Sequence, residues 1–408
     1  MHTLHDFNTG ALAGARHVSL THQGLTTFPR QLFDLADTLE VLDLSGNQLS
    51  ALPDDLPRLH RLRVLFASHN PFTVLPPVLG QCPQLEMVGF KACQLQDVPP
   101  QSLPPRLRWL ILTDNRLREL PATLGQRPRL QKLMLACNQL SSLPDLHHCP
   151  QLELVRLASN RLPSLPTTLL RMPALAWLAI GGNPFTQEKE QEALVQPCKK
   201  AIFYQHIEWQ TLRGEGASGQ IWQALHGTPP QPLAIKRFKA ACTSDGTPQS
   251  EMAAGLWAGQ HPHLLTPVAP VQGMPAGALA MALPLLPSTY THLAAPPSLD
   301  SCTRDVYSPH ASWSAERAQQ LLGAVRSALQ HLHARGVLHG DVYAHNVLWQ
   351  PDSGCTLLSD LGAATLTDHL PAAQVAQLQA MEWRAFAHLQ AEVLARVVPK
   401  RPPAAAGA

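Results

Sequence analysis

Between residues 15 and 185 the apolar positions repeat one phrase. Leucines fall at the first, fourth, sixth and eleventh places of Leu39-Glu-Val-Leu-Asp-Leu-Ser-Gly-Asn47-Gln-Leu49. The phrase returns from Leu62, Leu85, Leu107, Leu130, Leu152 and Leu175, at steps of 22 or 23 residues, and a degenerate first copy runs through Val18, Leu20 and Leu25. Self-similarity at such a period marks stacked units. The leucines can point into a shared core. Asn47, Asn70, Asn115, Asn138, Asn160 and Asn183 can hydrogen-bond backbone groups where the chain turns, and Cys93 takes that place in one copy. The Leu-Pro step that follows favours an extended convex side over a long helix. No copy can bury its leucines alone, so about eight of them predict a curved solenoid with strands on its concave face.

The phrase resembles leucine-rich repeats, and the resemblance implies a partner-binding concave face. Val64, Phe66, Met87, Trp109, Ile111, Lys132, Met134, Arg156 and Trp177 occupy matching outward strand positions. A contiguous apolar stripe of this kind marks an interaction surface. Phe66, Trp109, Met134 and Trp177 are the candidates for a protein partner, and the chain's own second half is the competing occupant. Gln187-Glu-Lys-Glu-Gln-Glu-Ala-Leu-Val then reads as a short charged helix stopped by Pro197, the polar cap that the end of a solenoid requires.

From Ile207 the period changes to two. Ile207-Glu-Trp-Gln-Thr-Leu212-Arg predicts a strand, followed by Gly214-Glu-Gly216-Ala217-Ser218-Gly219. After these glycines Ile221, Gln223 and Leu225 alternate as a strand, which argues against the strand-to-helix turn of a dinucleotide fold. Small residues between two strands let the backbone close over phosphates. Ala234-Ile-Lys236 places one ammonium in a further strand, and Glu251 begins a short helical run. Gly277–Leu283, with Met281, reads as a buried strand leading to a linker, and Ser314–Arg335 as an amphipathic helix ending in Gly336-Val-Leu. His339-Gly-Asp341-Val-Tyr-Ala-His-Asn346 and Ser359-Asp360-Leu-Gly follow. An Asp with an Asn five residues on, then an Asp before Gly after a short hairpin, offers oxygens that could accept a proton and hold a divalent metal.

In this order the motifs resemble those of eukaryotic-type protein kinases, and with the repeats the whole chain resembles bacterial leucine-rich-repeat protein kinases. The resemblance implies an α/β leucine-rich-repeat solenoid followed by an α+β bilobal kinase-like domain with a truncated C-lobe. The expected divisions are repeats over 1–185, a cap and linker over 186–204, the kinase-like domain over 205–397 and a disordered tail over 398–408. It also implies ATP and Mg2+ as cofactors. Asp341, Lys236 and Asn346 would be catalytic, with Asn346 and Asp360 on metal. Leu212, Gly214, Gly216, Ala217, Ser218, Gly219, Ala234, Lys236, Glu251, Met281 and Leu283 would line the nucleotide pocket. Ser301-Cys-Thr-Arg-Asp-Val-Tyr307 looks like an insert that these proteins carry after the hinge. The chain departs from the family pattern where an arginine is replaced by Gly340 and a lysine by Tyr343. It also has only about 20 residues between Asp360 and Met381-Glu-Trp-Arg, so it lacks room for a full activation loop.

Composition narrows the functional classes. A net charge of +2 gives no pull toward nucleic acid or an anionic membrane. No apolar run approaches the ~20 residues needed to span a bilayer, and Met1-His-Thr-Leu-His-Asp-Phe does not begin as a signal peptide does. Eight scattered cysteines (82, 93, 137, 149, 198, 242, 302 and 355) contain no C-x-x-C pair, so neither a zinc site nor a disulfide framework is indicated. The expectation is a cytoplasmic protein, with a secreted effector as the other possibility. An active Ser/Thr protein kinase is the leading function. A nucleotide-binding scaffold without transfer and a small-molecule phosphotransferase are the alternatives.

Overall fold

A computed structural model describes residues 2–3, 5–6, 9–195, 201–216, 218–239 and 241–398. The expected disordered tail, apart from Val398, and Pro197 in the expected linker lie outside these residues. The chain divides into two compact units, Met1–Glu188 with Ala241–Thr247, and Lys189–Ala240 with Pro248–Ala408.

In the first unit each repeat contributes one short strand: β1 (His17–Ser19), β2 (Val41–Asp43), β3 (Val64–Phe66), β4 (Met87–Gly89), β5 (Trp109–Ile111), β6 (Lys132–Met134), β7 (Leu154–Arg156) and β8 (Trp177–Ala179). The eight pair in sequence order into one parallel sheet. The asparagines build a ladder behind it. Asn115 Nδ2 donates to the carbonyls of Phe90 (2.8 Å) and Leu112 (2.9 Å), while its Oδ1 accepts from the N–H groups of Cys93 (3.1 Å) and Leu95 (2.8 Å). Asn47, Asn70, Asn138, Asn160 and Asn183 bridge their neighbouring turns in the same way. Cys93 substitutes with its thiol, which donates to the Ala67 carbonyl at 3.2 Å. The convex side is built of short 3-10 turns rather than fully extended chain, for example Pro77–Gln81 and Pro100–Ser102. Proline at their starts needs no N–H there and brings its φ already set.

Several concave-face positions are not free. Trp177 is 1% exposed and Val64, Met87, Lys132 and Arg156 are also buried, which corrects the expectation of Trp177 as a partner contact. Phe66, Trp109, Ile111 and Met134 are half-buried. Lys132 lies over the Trp109 ring at 4.2 Å, and Trp109 Nε1 donates to Met134 Sδ at 3.2 Å. Arg156 Nε donates to Asp245 Oδ1 at 2.8 Å, so the 241–247 segment lies against β7. In the same segment Cys242 is disulfide-bonded to Cys137, 105 residues away in sequence. Spacing along the chain could not announce that pair.

In the second unit β9 (Ile202–Phe203), β10 (Ile207–Glu215), β11 (Gly219–His226), β12 (Gln231–Phe238), β13 (Ala269–Gln272) and β14 (Ala280–Pro284) form a sheet in the order β10-β11-β12-β14-β13-β9. Helix α1 (Pro184–Val195) spans the division between the units, and α2 (Pro248–Ala258) follows β12. Strand alternation sorts the side chains. Ile235, Ala280 and Ala282 join a core with Ile207, Ala224 and Val271, whereas Ala234, Phe238, Met281 and Leu283 pack with Met252 of α2. Lys236 is thereby placed among the second set. Below lie β15 (Thr291–His292), α3 (Ala315–Ala334), β16 (Val337–Leu338), β17 (Val347–Trp349), β18 (Thr356–Leu358), β19 (Thr365–Leu366) and α4 (Ala372–Leu394). Ser314 caps α3 by accepting from the Arg317 N–H at 3.1 Å, and Leu321, Val325, Leu329 and Leu332 bury its apolar stripe.

The ladder predicts a graded response in the repeats. Replacing Asn115 with Ala leaves several buried backbone groups without partners and is expected to cost roughly 2–4 kcal/mol in chemical denaturation. Asn115→Cys, which retains a weak donor as Cys93 does, should lose measurably less. Equal losses would show that the donor does not matter.

Candidate functional site

A cleft of about 350 Å³ in the second unit is lined by Gly216, Ser218, Gly219, Ile221, Lys236, Glu251, Met281, Leu283, Asn346 and Asp360. One wall is the turn between β10 and β11, closed by the Gly216 N–H donating to the Gly219 carbonyl at 2.9 Å. Any side chain at Gly219 would strike the Arg237 carbonyl of the neighbouring strand. Opposite, Lys236 Nζ forms an ion pair with Glu251 Oε1, both residues being buried. The helix holding Glu251 starts three residues earlier than the sequence suggests, at Pro248, and puts the carboxylate in its first turn. Charges this far from water are tolerated because each is paired.

The floor is the loop between β16 and β17. His339, fully buried, donates through Nε2 to the Ser359 carbonyl (3.0 Å) and accepts the Asp341 N–H at Nδ1 (3.2 Å), which fixes its tautomer. Gly340 has φ +74°, a conformation that glycine adopts without penalty, and its N–H donates to Glu382 Oε1 of α4 at 2.7 Å. Glu382 Oε2 lies 2.6 Å from His333 Nε2. Asn346 Nδ2 donates to both the Asp341 carbonyl (2.9 Å) and Asp341 Oδ2 (2.8 Å), tying the two ends of the loop together. After β18, Asp360 sits at φ +61° with its Oδ1 accepting the Gly362 N–H (3.1 Å).

The structure therefore brings Gly216, Ser218, Gly219, Lys236, Glu251, Met281, Leu283, Asn346 and Asp360 together. Asp341 is next to them through Asn346, with its side chain 15% exposed. Leu212 is not among the lining residues. It is 44% exposed, in a stretch of β10 where the register with β11 shifts on either side of it, and Ile221 lines the cleft. Gly214 and Ala234 also fall outside the lining, and Ala217 lies outside the described residues. Sequence reasoning missed Leu265, Pro267, His292, Leu348 and Leu361 in the lining, and Glu382 and Asp305 behind it. Glu382 stands in the Met381-Glu-Trp segment already singled out. Its role shows only once α4 is packed under the loop.

Asp305, from the 301–307 segment, accepts the His345 N–H at Oδ2 (2.9 Å) and lies 2.7 Å from His345 Nδ1 through Oδ1. Burial opposes charge on His345, but the hydrogen bond to Asp305 and the charges of Asp341, Asp305 and Asp360 raise its pKa above the usual imidazole value. The same segment meets α4 where Tyr307 donates to Glu392 Oε2 at 3.2 Å.

The oxygen donors suit a hard divalent cation beside phosphate, since Asn346 and Asp360 line one end of the cleft. Among the described residues there is no group of three or more His, Cys, Asp and Glu that could hold a metal ion. No described helix is long and apolar enough to cross a membrane.

Comparison with known proteins bears on both units. The leucine-rich repeat family model matches residues 14–72 and 105–162, and the protein kinase domain model matches residues 208–389. Over 99 residues the chain is 35% identical to the Homo sapiens PH domain leucine-rich repeat-containing protein phosphatase 1, covering 23% of this chain and 6% of that protein. Over 96 residues it is 34% identical to the Homo sapiens leucine-rich repeat-containing protein 58, covering 22% and 26%. The chain thus spans only a small part of the length of these curated relatives. Among solved structures, a leucine-rich-repeat protein of Leptospira interrogans matches at 25% identity with a TM-score of 0.30, covering 43% of this chain and 57% of that one.

A pH dependence follows from Glu392. Burial, and after it the charge of Asp305, pushes its carboxyl up to about 7 from an ordinary 4.5, against the opposing effects of Tyr307, Arg304 and Arg396. The folded chain then keeps a proton that the unfolded chain releases, so this contribution is complete below pH 4.5 and is lost as pH rises through 7. Between pH 5 and 8 the wild type should lose on the order of 1–2 kcal/mol relative to Glu392→Gln in denaturation midpoints. Parallel pH profiles would show that Glu392 is not responsible.

Proposed function

We propose that this chain, which carries leucine-rich repeats and a protein kinase domain, is an active ATP- and Mg2+-dependent protein kinase whose repeats recruit a protein partner or substrate. The convergence in one cleft of the glycine turn, the Lys236–Glu251 pair, Asn346 and Asp360, with Asp341 tied to Asn346, carries this reading. Serine or threonine as the acceptor is what the resemblance implies. A cytoplasmic site of action, where ATP is at hand, goes with it.

MgATP, when bound, supplies the phosphoryl group and part of the charge that neutralises it. The chain's task is positioning. Lys236, held by Glu251, and the glycine turn line the cleft that would take the phosphates. Met281 and Leu283 give an apolar wall for a base. Asn346 and Asp360 are the oxygen donors for the metal. Asp341 takes the proton of the attacking hydroxyl, and the Asn346 amide on its Oδ2 fixes the rotation of that carboxylate.

The repeats' available face for a partner is the stretch with Phe66, Trp109, Ile111 and Met134, because Arg156 is engaged by Asp245 and Trp177 is buried. One observation favours the second reading, a nucleotide-binding scaffold. Only residues 361–371 connect Asp360 to α4, a span too short for an extended peptide platform.

Label transfer from MgATP to the purified protein or to lysate proteins distinguishes the two. Asp341→Asn should lower incorporation by about 100-fold or more. Nucleotide binding without transfer in the wild type would overturn the kinase reading and leave the scaffold. Transfer to an amino-sugar or choline in preference to protein would point to a small-molecule phosphotransferase.

A further inference from the structure

The loop that carries Asp341 and Asn346 must keep those two side chains in register. His292 Nδ1 donates to the His345 carbonyl at 2.6 Å, the Ser359 N–H and hydroxyl donate to the Asn346 carbonyl, and two buried carboxylates accept backbone N–H groups of the loop. At one end the buried Glu382 accepts the Gly340 N–H. At the other the side chain of Asp305, 0% exposed, accepts the His345 N–H and also meets the His345 ring. His345 is the residue immediately before Asn346. Its ring stacks on Tyr343 at 4.9 Å with planes 30° apart, and its Nε2 lies 4.0 Å from Asp341 Oδ2. A hold on His345 therefore fixes the arc from 343 to 346 and, through the Asn346 amide, the Asp341 carboxylate.

We propose that Asp305 is a positioning residue for phosphoryl transfer, and that the 301–307 segment belongs to the active centre because it pins the catalytic loop through His345. The inference rests on the kinase reading for its effect on rate, though not for its effect on the loop. Asp305 is not among the residues lining the cleft and reaches the loop through His345. A carboxylate suits the place because it accepts from two donors at once, one on the backbone and one on the ring. An alanine there would leave the His345 N–H and ring without these acceptors and would loosen the arc, with the His292 contact to the His345 carbonyl remaining. The contacts of the nucleotide cleft, the glycine turn and the Lys236–Glu251 pair, would be untouched.

The test compares Asp305→Ala and Asp305→Asn in the full chain by two measurements. In steady-state transfer, Asp305→Ala should lower kcat by about tenfold or more with KM for MgATP within about threefold, the signature of a misplaced reacting group with binding retained. Asp305→Asn, whose Oδ1 can still accept the His345 N–H, should recover part of the loss. Hydrogen exchange should quicken in the peptide 339–348 in Asp305→Ala and less so in Asp305→Asn. A purely structural role would instead lower the active fraction and the melting temperature together, leaving kcat per folded molecule unchanged. That result, or unchanged exchange in 339–348, would overturn the inference. If the wild type transfers no phosphate, the kinase reading falls, and exchange alone decides whether Asp305 pins the loop. If Asp305→Ala does not fold, the near-isosteric Asp305→Asn carries both measurements: normal kcat and exchange would refute the inference, and a kcat loss with retained KM would support it.

Discussion

The buried carboxylate of Glu382 is the interaction on which the loop of residues 339–346 depends. A carboxylate at 4% exposure is costly unless its oxygens are satisfied, and here one accepts the Gly340 N–H while the other meets His333. That arrangement requires the Gly340 N–H to point down into α4, which goes with the left-handed backbone at this residue. The departure from the arginine expected at this position is thus consistent with local geometry. With Gly340 fixed, Asp341 emerges at the top of the loop and His339 tucks beneath it onto the Ser359 carbonyl. The strand before the loop and the chain after Asp360 are drawn together as the β16–β19 pair, with Val337 opposite Leu366. One helix side chain therefore underlies the loop that carries Asp341 and Asn346.

The other side of the cleft is set by strand alternation. Period two in β12 sends Ile235 into one core and Lys236 toward the other face, and the register with β14 puts Lys236 opposite Met281. Helix α2 then needs only its first turn to bring Glu251 to the lysine. Its tight seat comes from Gly255, where a side chain would meet the Pro267 ring. Cleft volume and the ion pair are consequences of the same packing.

What the sequence disclosed follows from how local each determinant is. The repeat ladder was legible because each asparagine bonds to turns one period away, so its role recurs with the spacing. Gly216, Gly219, Lys236, Asn346 and Asp360 were legible because each sits in a short motif with its strand or turn. Leu212 is exposed and outside the cleft lining, in a stretch of β10 whose irregular register with β11 a simple alternation pattern does not encode. Trp177 was misjudged because alternation gives a side chain's direction and says nothing of what covers it. Glu382, Asp305 and the Cys137–Cys242 bond act across 40 to 105 residues, over separations that no local pattern encodes.

The shortness of 361–371 gives the remaining constraint. β19 pairs with β16, and Thr367 adds two hydrogen bonds to the Gly336 carbonyl, at 2.7 Å from its N–H and 3.0 Å from its hydroxyl. The chain is thereby fastened along most of the distance between Asp360 and α4. A segment held in this way has little slack to reorder on phosphorylation, since reordering would break a strand pair and a buried threonine contact for each new arrangement. Order around Asp341 must then come from contacts already in place, and the two buried carboxylates, His292 on the His345 carbonyl and Ser359 on the Asn346 carbonyl are among them. Glu382 holds the start of the loop and Asp305 its end, which makes the loop's geometry a property of the folded unit rather than of a switch.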